Sequence, residues 1–141
     1  MQTKDVNKII ELNEQKYISE ELYLSEITNS LLKLGFSPKL KGFIYVKEAI
    51  YYYSEISFVN NIRNEIYSKI AEKYNVNITS LNHSIKKTIE ETWYGTSFNR
   101  DHELFNCAYI KTSYPPTNIE FIANMSECIK LNITKRFLNK S

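Results

Sequence analysis

Residues 62–93 read IRNEIYSKIAEKYNVNITSLNHSIKKTIEETW, and their periodicity decides the fold. Ile62, Ile66 and Ile70 recur every four residues, which predicts a helix over 62–74. Asn75-Val76-Asn77 interrupts the pattern. Leu81, Ile85, Ile89 and Trp93 then resume it, which predicts a second helix over 79–93 with those side chains inward. Two helices joined by a short Asn-rich break fit a helix-turn-helix, and they also fit an ordinary amphipathic hairpin, the commoner arrangement. The face opposite the apolar stripe presents Ser80, His83, Lys86, Lys87 and Glu90, with Asn82 at its flank. Lys and Ser suit phosphates, while Asn and His can hydrogen-bond base edges.

Upstream, Leu24, Ile27, Leu31 and Leu34 predict a helix over 21–34 that Gly35 ends as a C-cap. Ser37-Pro38 reads as the next helix start, with Ser as N-cap and Pro at the first helical position. That helix should extend to about Ser54 with Phe43, Val46, Ile50 and Tyr53 on one face. Gly42 inside it either weakens the helix or lets a neighbour approach closely. An earlier block, Asp5–Tyr17, sets Val6, Ile9, Ile10 and Tyr17 at helical spacing and predicts an extra N-terminal helix. Downstream, 94–100 reads as loop, and the stretch to Ser113 has room for one short helix. Tyr114-Pro115-Pro116 reads as an extended connector. Thr117-Asn118-Ile119-Glu120 is a capping box that opens a last helix, running to about Leu131 or on into a basic tail.

Composition agrees. The chain has 141 residues, 43% hydrophobic and 24% charged, the balance of one globular domain. Three Gly and three Pro suit short helical connections better than a many-turned β fold. The expected fold is therefore an all-α, compact helical domain containing a helix-turn-helix. The expected division is an N-terminal extension over 1–20, a domain over 21–133 and a basic tail over 134–141.

Several function classes receive no support. No apolar run approaches the ~20 residues of a membrane span, and no secretory leader is visible, so a cytoplasmic protein without a membrane partner is expected. Cys107 and Cys128 are accordingly expected to be reduced. His83 and His102 lack the spacing of a metal site, no Gly-rich phosphate loop exists, and Glu90-Glu91 reads as a solvated helix face. Neither an enzyme, nor a metal, nor a cofactor is expected.

Charge is sorted along the chain. Residues 1–32 hold three Lys against six acids, whereas 33–47 hold Lys33, Lys39, Lys41 and Lys47 with no acid. Residues 128–141 hold Lys130, Lys135, Arg136 and Lys140, again with no acid. The net charge of +2 does not by itself mark a nucleic-acid binder, and solvated faces account for these segments as well as a phosphate-binding surface does.

From about Leu24 to Leu131 the chain resembles the C-terminal effector domain of the master sporulation response regulator, the stage-zero sporulation protein A family. The matching stretches are Ile27-Thr28-Asn29 with Leu34-Gly35; Lys41-Gly42-Phe43-Ile44-Tyr45-Val46-Lys47-Glu48-Ala49-Ile50; Ile70-Ala71-Glu72-Lys73-Tyr74-Asn75; Ile85 with Ile89-Glu90 and Trp93; and Pro116-Thr117-Asn118 with Glu120-Phe121-Ile122-Ala123. They cover roughly three quarters of the chain, and the Lys-Gly-aromatic and Pro-Thr-Asn segments are the distinctive ones.

The resemblance implies a transcriptional regulator that binds promoter-type double-stranded DNA, often as tandem copies or a dimer. The equivalent of Thr79–Trp93 would enter the major groove, with Ser80, Asn82 and His83 reading bases. Thr79, Lys86, Lys87, Lys39 and Lys41 would contact phosphates. The family carries Arg, Glu and Arg at the positions of Ser80, Asn82 and His83. Ser and His cannot supply the Arg fork to guanine, worth ~1–3 kcal/mol per good pair, so an altered cognate sequence is expected. Lys86 and Lys87 replace an Arg and a His and keep positive charge. About 20 residues precede the matching region, too few for the family's phosphorylatable receiver, so a stand-alone effector without aspartyl-phosphate control is expected. Two other readings stay open. One is a protein-interaction module that dimerises with and antagonises a full-length relative. The other is DNA binding for replication or maintenance of a mobile element. A chain rich in Lys, Asn and Ile with only three Arg also fits an AT-rich, spore-forming genome.

Overall fold

A computed structural model describes residues 20–56, 58–99 and 114–139. The predicted helix over 5–17 and the stretch 100–113 lie outside the described residues. The described elements are α1 (Glu20–Leu34), α2 (Phe43–Ser54), a π-helical turn (Arg63–Tyr67) running into α3 (Ser68–Tyr74), α4 (Ile78–Tyr94) and α5 (Asn118–Asn139). All are helical, as the sequence predicts.

The core is centred on α2, which touches each of the other helices. Its buried residues, Phe43, Tyr45, Val46, Ala49, Ile50 and Tyr51, fall all round the helix, the pattern of a fully enclosed helix. Onto it pack Tyr23, Ile27, Leu31 and Leu34 of α1, Ile66 of the π turn and Ile70 of α3, and Leu81, Ile85, Ile89 and Trp93 of α4. From α5 come Phe121, Ile122, Met125, Ile129 and Ile133. Aromatic pairs tie the elements together: Tyr23–Tyr51 at 5.9 Å and Phe36–Phe121 at 5.3 Å are tilted, and Tyr45–Tyr74 at 5.6 Å between ring centroids is edge-to-face.

The helix ends follow local chemistry. Gly35, at φ +105°, closes α1 as a Schellman motif: its N–H donates to Leu32 O, and the Phe36 N–H donates to Leu31 O, each at 3.0 Å. The α5 capping box is present in full, with Thr117 N–H donating to Glu120 Oε1 at 2.9 Å and Glu120 N–H to Thr117 Oγ1 at 3.2 Å. That helix continues through the basic segment to Asn139, and Arg136 there pairs with Glu26 of α1.

Three expectations need correction. The Ser37-Pro38 helix start is instead a pair of turns, with Leu40 N–H bonding Ser37 O and Phe43 N–H bonding Leu40 O, and α2 begins only after Gly42. Ser37 Oγ accepts from the Lys39 N–H at 3.2 Å, so the Ser closes a local turn and caps no helix. The helix predicted over 62–74 opens with the π turn, where Asn61 Oδ1 accepts from the N–H groups of Arg63 and Asn64 while Glu65 Oε2 accepts from those of Asn60 and Asn61. Cys128, expected to be reduced, is disulfide-bonded and buried in α5. The expectation rested on compartment, whereas bonding depends on where the fold sets the sulfurs.

One polar contact is built into the core edge. Glu48 of α2 is buried, and Lys73 of α3 brings its Nζ within 3.0 Å of both carboxylate oxygens. The Tyr74 hydroxyl donates to the same carboxylate. Burial, followed by the bond to Glu48, pushes the Tyr74 hydroxyl well above its ordinary pKa. The hydrogen bond to Glu48 likewise raises Lys73. Lys73→Ala is expected to lower stability by about 1–2 kcal/mol, because the carboxylate stays buried with only one partner while half-exposure of the ammonium limits the loss. Urea denaturation checks this. Because the folded pKa is raised, the lysine contribution is complete below the unfolded value of ~10.4 and fades as pH climbs through the folded one.

Candidate nucleic-acid interface

Two Asn residues shape the turn between α3 and α4. Asn75 takes φ 54°, the left-handed conformation that Asn tolerates better than other side chains with a Cβ, and ends α3 with Val76 N–H bonding Ala71 O at 3.0 Å. Asn77 caps α4, its side chain accepting from the Ser80 N–H at 2.8 Å. The Asn-rich break is therefore a turn with assigned roles. Burial of Leu81, Ile85, Ile89 and Trp93 then fixes how α4 is rotated about its axis.

That rotation leaves Thr79, Ser80, His83, Lys86 and Lys87 exposed on one side. Asn82 is half-buried at one flank of this face. There Asn118, at the start of α5, donates its Nδ2 to Asn82 Oδ1 at 3.0 Å and to Asn82 O at 3.2 Å. On the opposite flank the turn before α2 comes against α4. Lys39, Leu40, Lys41 and Gly42 line an open cleft of about 450 Å³ with Ser84, Lys87, Thr88 and Glu91. Three lysines thus converge on one cleft with a single carboxylate among them.

Gly42 makes this approach possible, which resolves the alternative left by the sequence. A Cβ there would stand 2.2 Å from Thr88 Oγ1 and 2.4 Å from the Ser84 carbonyl oxygen, so the neighbour approaches within the volume of a methyl group. Lys39, Lys41 and Lys87 are brought together, whereas Lys86 lies on α4 outside that cleft. Sequence reading missed Ser84 and Glu91 as cleft residues and Asn118 as a neighbour of Asn82. The capping box located the start of α5, but nothing in it indicated where that helix end would dock. Among the described residues no His, Cys, Asp or Glu cluster could hold a metal ion, and no helix is long and apolar enough to cross a membrane.

The paired helices α3 and α4, the Asn-capped turn and the exposed polar face define an all-α domain of the helix-turn-helix class. The model of the family described as Sporulation initiation factor Spo0A C terminal matches residues 27–129. The chain belongs to this family, whose members are effector domains that bind DNA and regulate transcription. No solved structure matches the chain.

Proposed function

We propose that this chain is a sequence-specific transcriptional regulator whose α4 docks in the major groove of promoter-type DNA with a base preference different from its family's. The observation that carries the reading is the outward face of α4, flanked by the lysine-lined cleft. Ser80, Asn82 and His83 meet base edges, and Thr79, Lys86, Lys87, Lys39 and Lys41 meet phosphates. Residues 21–133 form the binding domain, and copies assemble in tandem or as a dimer on the site.

Fluorescence anisotropy on the family's promoter box, a scrambled box and a random AT-rich duplex, each at two salt concentrations, tests it. Each phosphate contact contributes about 0.9 to the slope of log affinity on log salt. The K86A/K87A double variant is therefore expected to bind all duplexes more weakly and to flatten that slope by roughly 2. An unchanged slope argues against this docking.

A second reading is favoured by the lost arginines and by the exposed Leu22 and Leu32 on α1 and Leu131 and Leu138 on α5. It is a module that pairs with a full-length relative and antagonises it. Co-elution of the two proteins without DNA, together with no DNA binding at low salt, would favour that reading.

A further inference from the structure

Resting on the DNA-reading role proposed for α4, we propose that Asn118 is a specificity-positioning residue: it locks the Asn82 amide so that only its NH2 group faces the groove. The carbonyl of Asn82 is a backbone acceptor that cannot be turned round. The Asn118 amide atom 3.2 Å from it must therefore be nitrogen, since an oxygen there would oppose another oxygen. The same nitrogen lies 3.0 Å from the Asn82 side chain, so the atom of Asn82 that faces it must be Oδ1. One fixed acceptor thus settles the orientation of both amides.

Because an amide is planar, Nδ2 of Asn82 occupies the edge away from Asn118. The rigidity comes from α5, whose first turn is held by the Thr117–Glu120 capping box. Buried beside the same corner is Tyr67. Its hydroxyl lacks hydrogen-bond geometry to Asn118, yet the Asn118 amide is near enough to offset part of the rise in its pKa that burial causes.

The consequence is chemical. A free Asn recognises adenine with two bonds, accepting from N6 and donating to N7. Here Oδ1 is turned toward Asn118, so Asn82 presents its donor to the groove. It matches best a base edge that presents acceptors without a donor, guanine O6 and N7 or thymine O4, because the N7 acceptor of adenine stands beside the N6 donor that opposes the amide NH2. At this point the site is read as guanine or thymine, and the adenine fork is withheld.

The test is selection of the full chain on a randomised duplex pool, with N82A identifying the base position that Asn82 reads. Wild type should prefer guanine or thymine there. N118A should release the amide and shift that one position toward adenine by roughly 5-fold or more, the range of one bidentate contact, with the other positions unchanged. N118D inverts the polarity and suits a helix N-terminus electrostatically. Its carboxylate can only accept, so the Asn82 amide must flip, present Oδ1 and favour cytosine or adenine, the bases with exocyclic donors. Neither variant should alter the profile in an N82A background. Thermal melting confirms that both are folded.

Weakening by N118A and N118D that is equal across all sequences would make Asn118 merely structural and overturn the proposal. A wild-type preference for adenine at the mapped position would overturn it as well, leaving DNA recognition standing. Wild type that selects no sequence would overturn the DNA reading itself, and this proposal with it.

Discussion

Gly35→Ala is expected to lower the stability of the domain by about 3 kcal/mol or more. Two penalties coincide. At φ +105° a side chain with a Cβ is strained wherever it points. The Cβ would also stand 2.3 Å from the Ser97 carbonyl oxygen and 3.0 Å from Phe98 Cα, both backbone atoms with nowhere to retreat. The contact has a partner to lose, because the Asn99 N–H bonds the Leu34 carbonyl at 3.0 Å and Phe98 packs on Trp93 with ring centroids 5.2 Å apart. Displacing that loop uncovers the end of α4. Chemical denaturation should show the loss as a lower midpoint with an unchanged slope. An alanine variant within 1 kcal/mol of the parent would contradict the close packing.

Gly42→Ala is expected to cost about 2–3 kcal/mol by a different route, a drop of roughly 6–15 °C in Tm. Its φ of −83° suits any residue, so the backbone is unstrained and the effect is purely steric. The Thr88 hydroxyl can rotate out of the way, but the Ser84 carbonyl belongs to the helix ladder and cannot. Thr88→Ala in the same chain should therefore rescue only part of the loss. Since the methyl group pries the Lys39–Lys41 turn off α4, DNA affinity should fall further than the loss of folded protein accounts for. Anisotropy titration well below the variant's Tm separates the two effects. Equal affinity there would mean that the turn contributes nothing to binding.

The framework was legible in the sequence because it rests on local signals. Apolar spacing located α1, α3 and α4, Gly35 marked a left-handed end, and Thr117 with Glu120 marked the start of α5. Ser37-Pro38 misled because both residues suit a turn as well as a helix start, and nothing local decides between them. The π turn at Arg63–Tyr67, framed by reciprocal bonds with Asn61, shifts helical register in a way that periodicity averages away. At the candidate interface the exposed face of α4 could be read directly, being the complement of its apolar stripe. The two contacts that shape its flanks could not, because Asn118 lies 36 residues beyond Asn82 in the chain. Lys39 and Lys41 stand even farther away on the other side, and such meetings are settled only by tertiary packing.

The burial of α2 on every side separates two kinds of change. The enclosed helix answers to all its neighbours at once, so a substitution there is felt throughout the fold. The exposed side chains of Ser80 and His83 on the outer face of α4 take no part in its hold on α2, which runs through the opposite stripe. That face can therefore change by substitution while the frame that presents it stays as it was. On the docking proposed above, Ser80 and His83, which stand where the resemblance implies arginines, are substitutions of this kind.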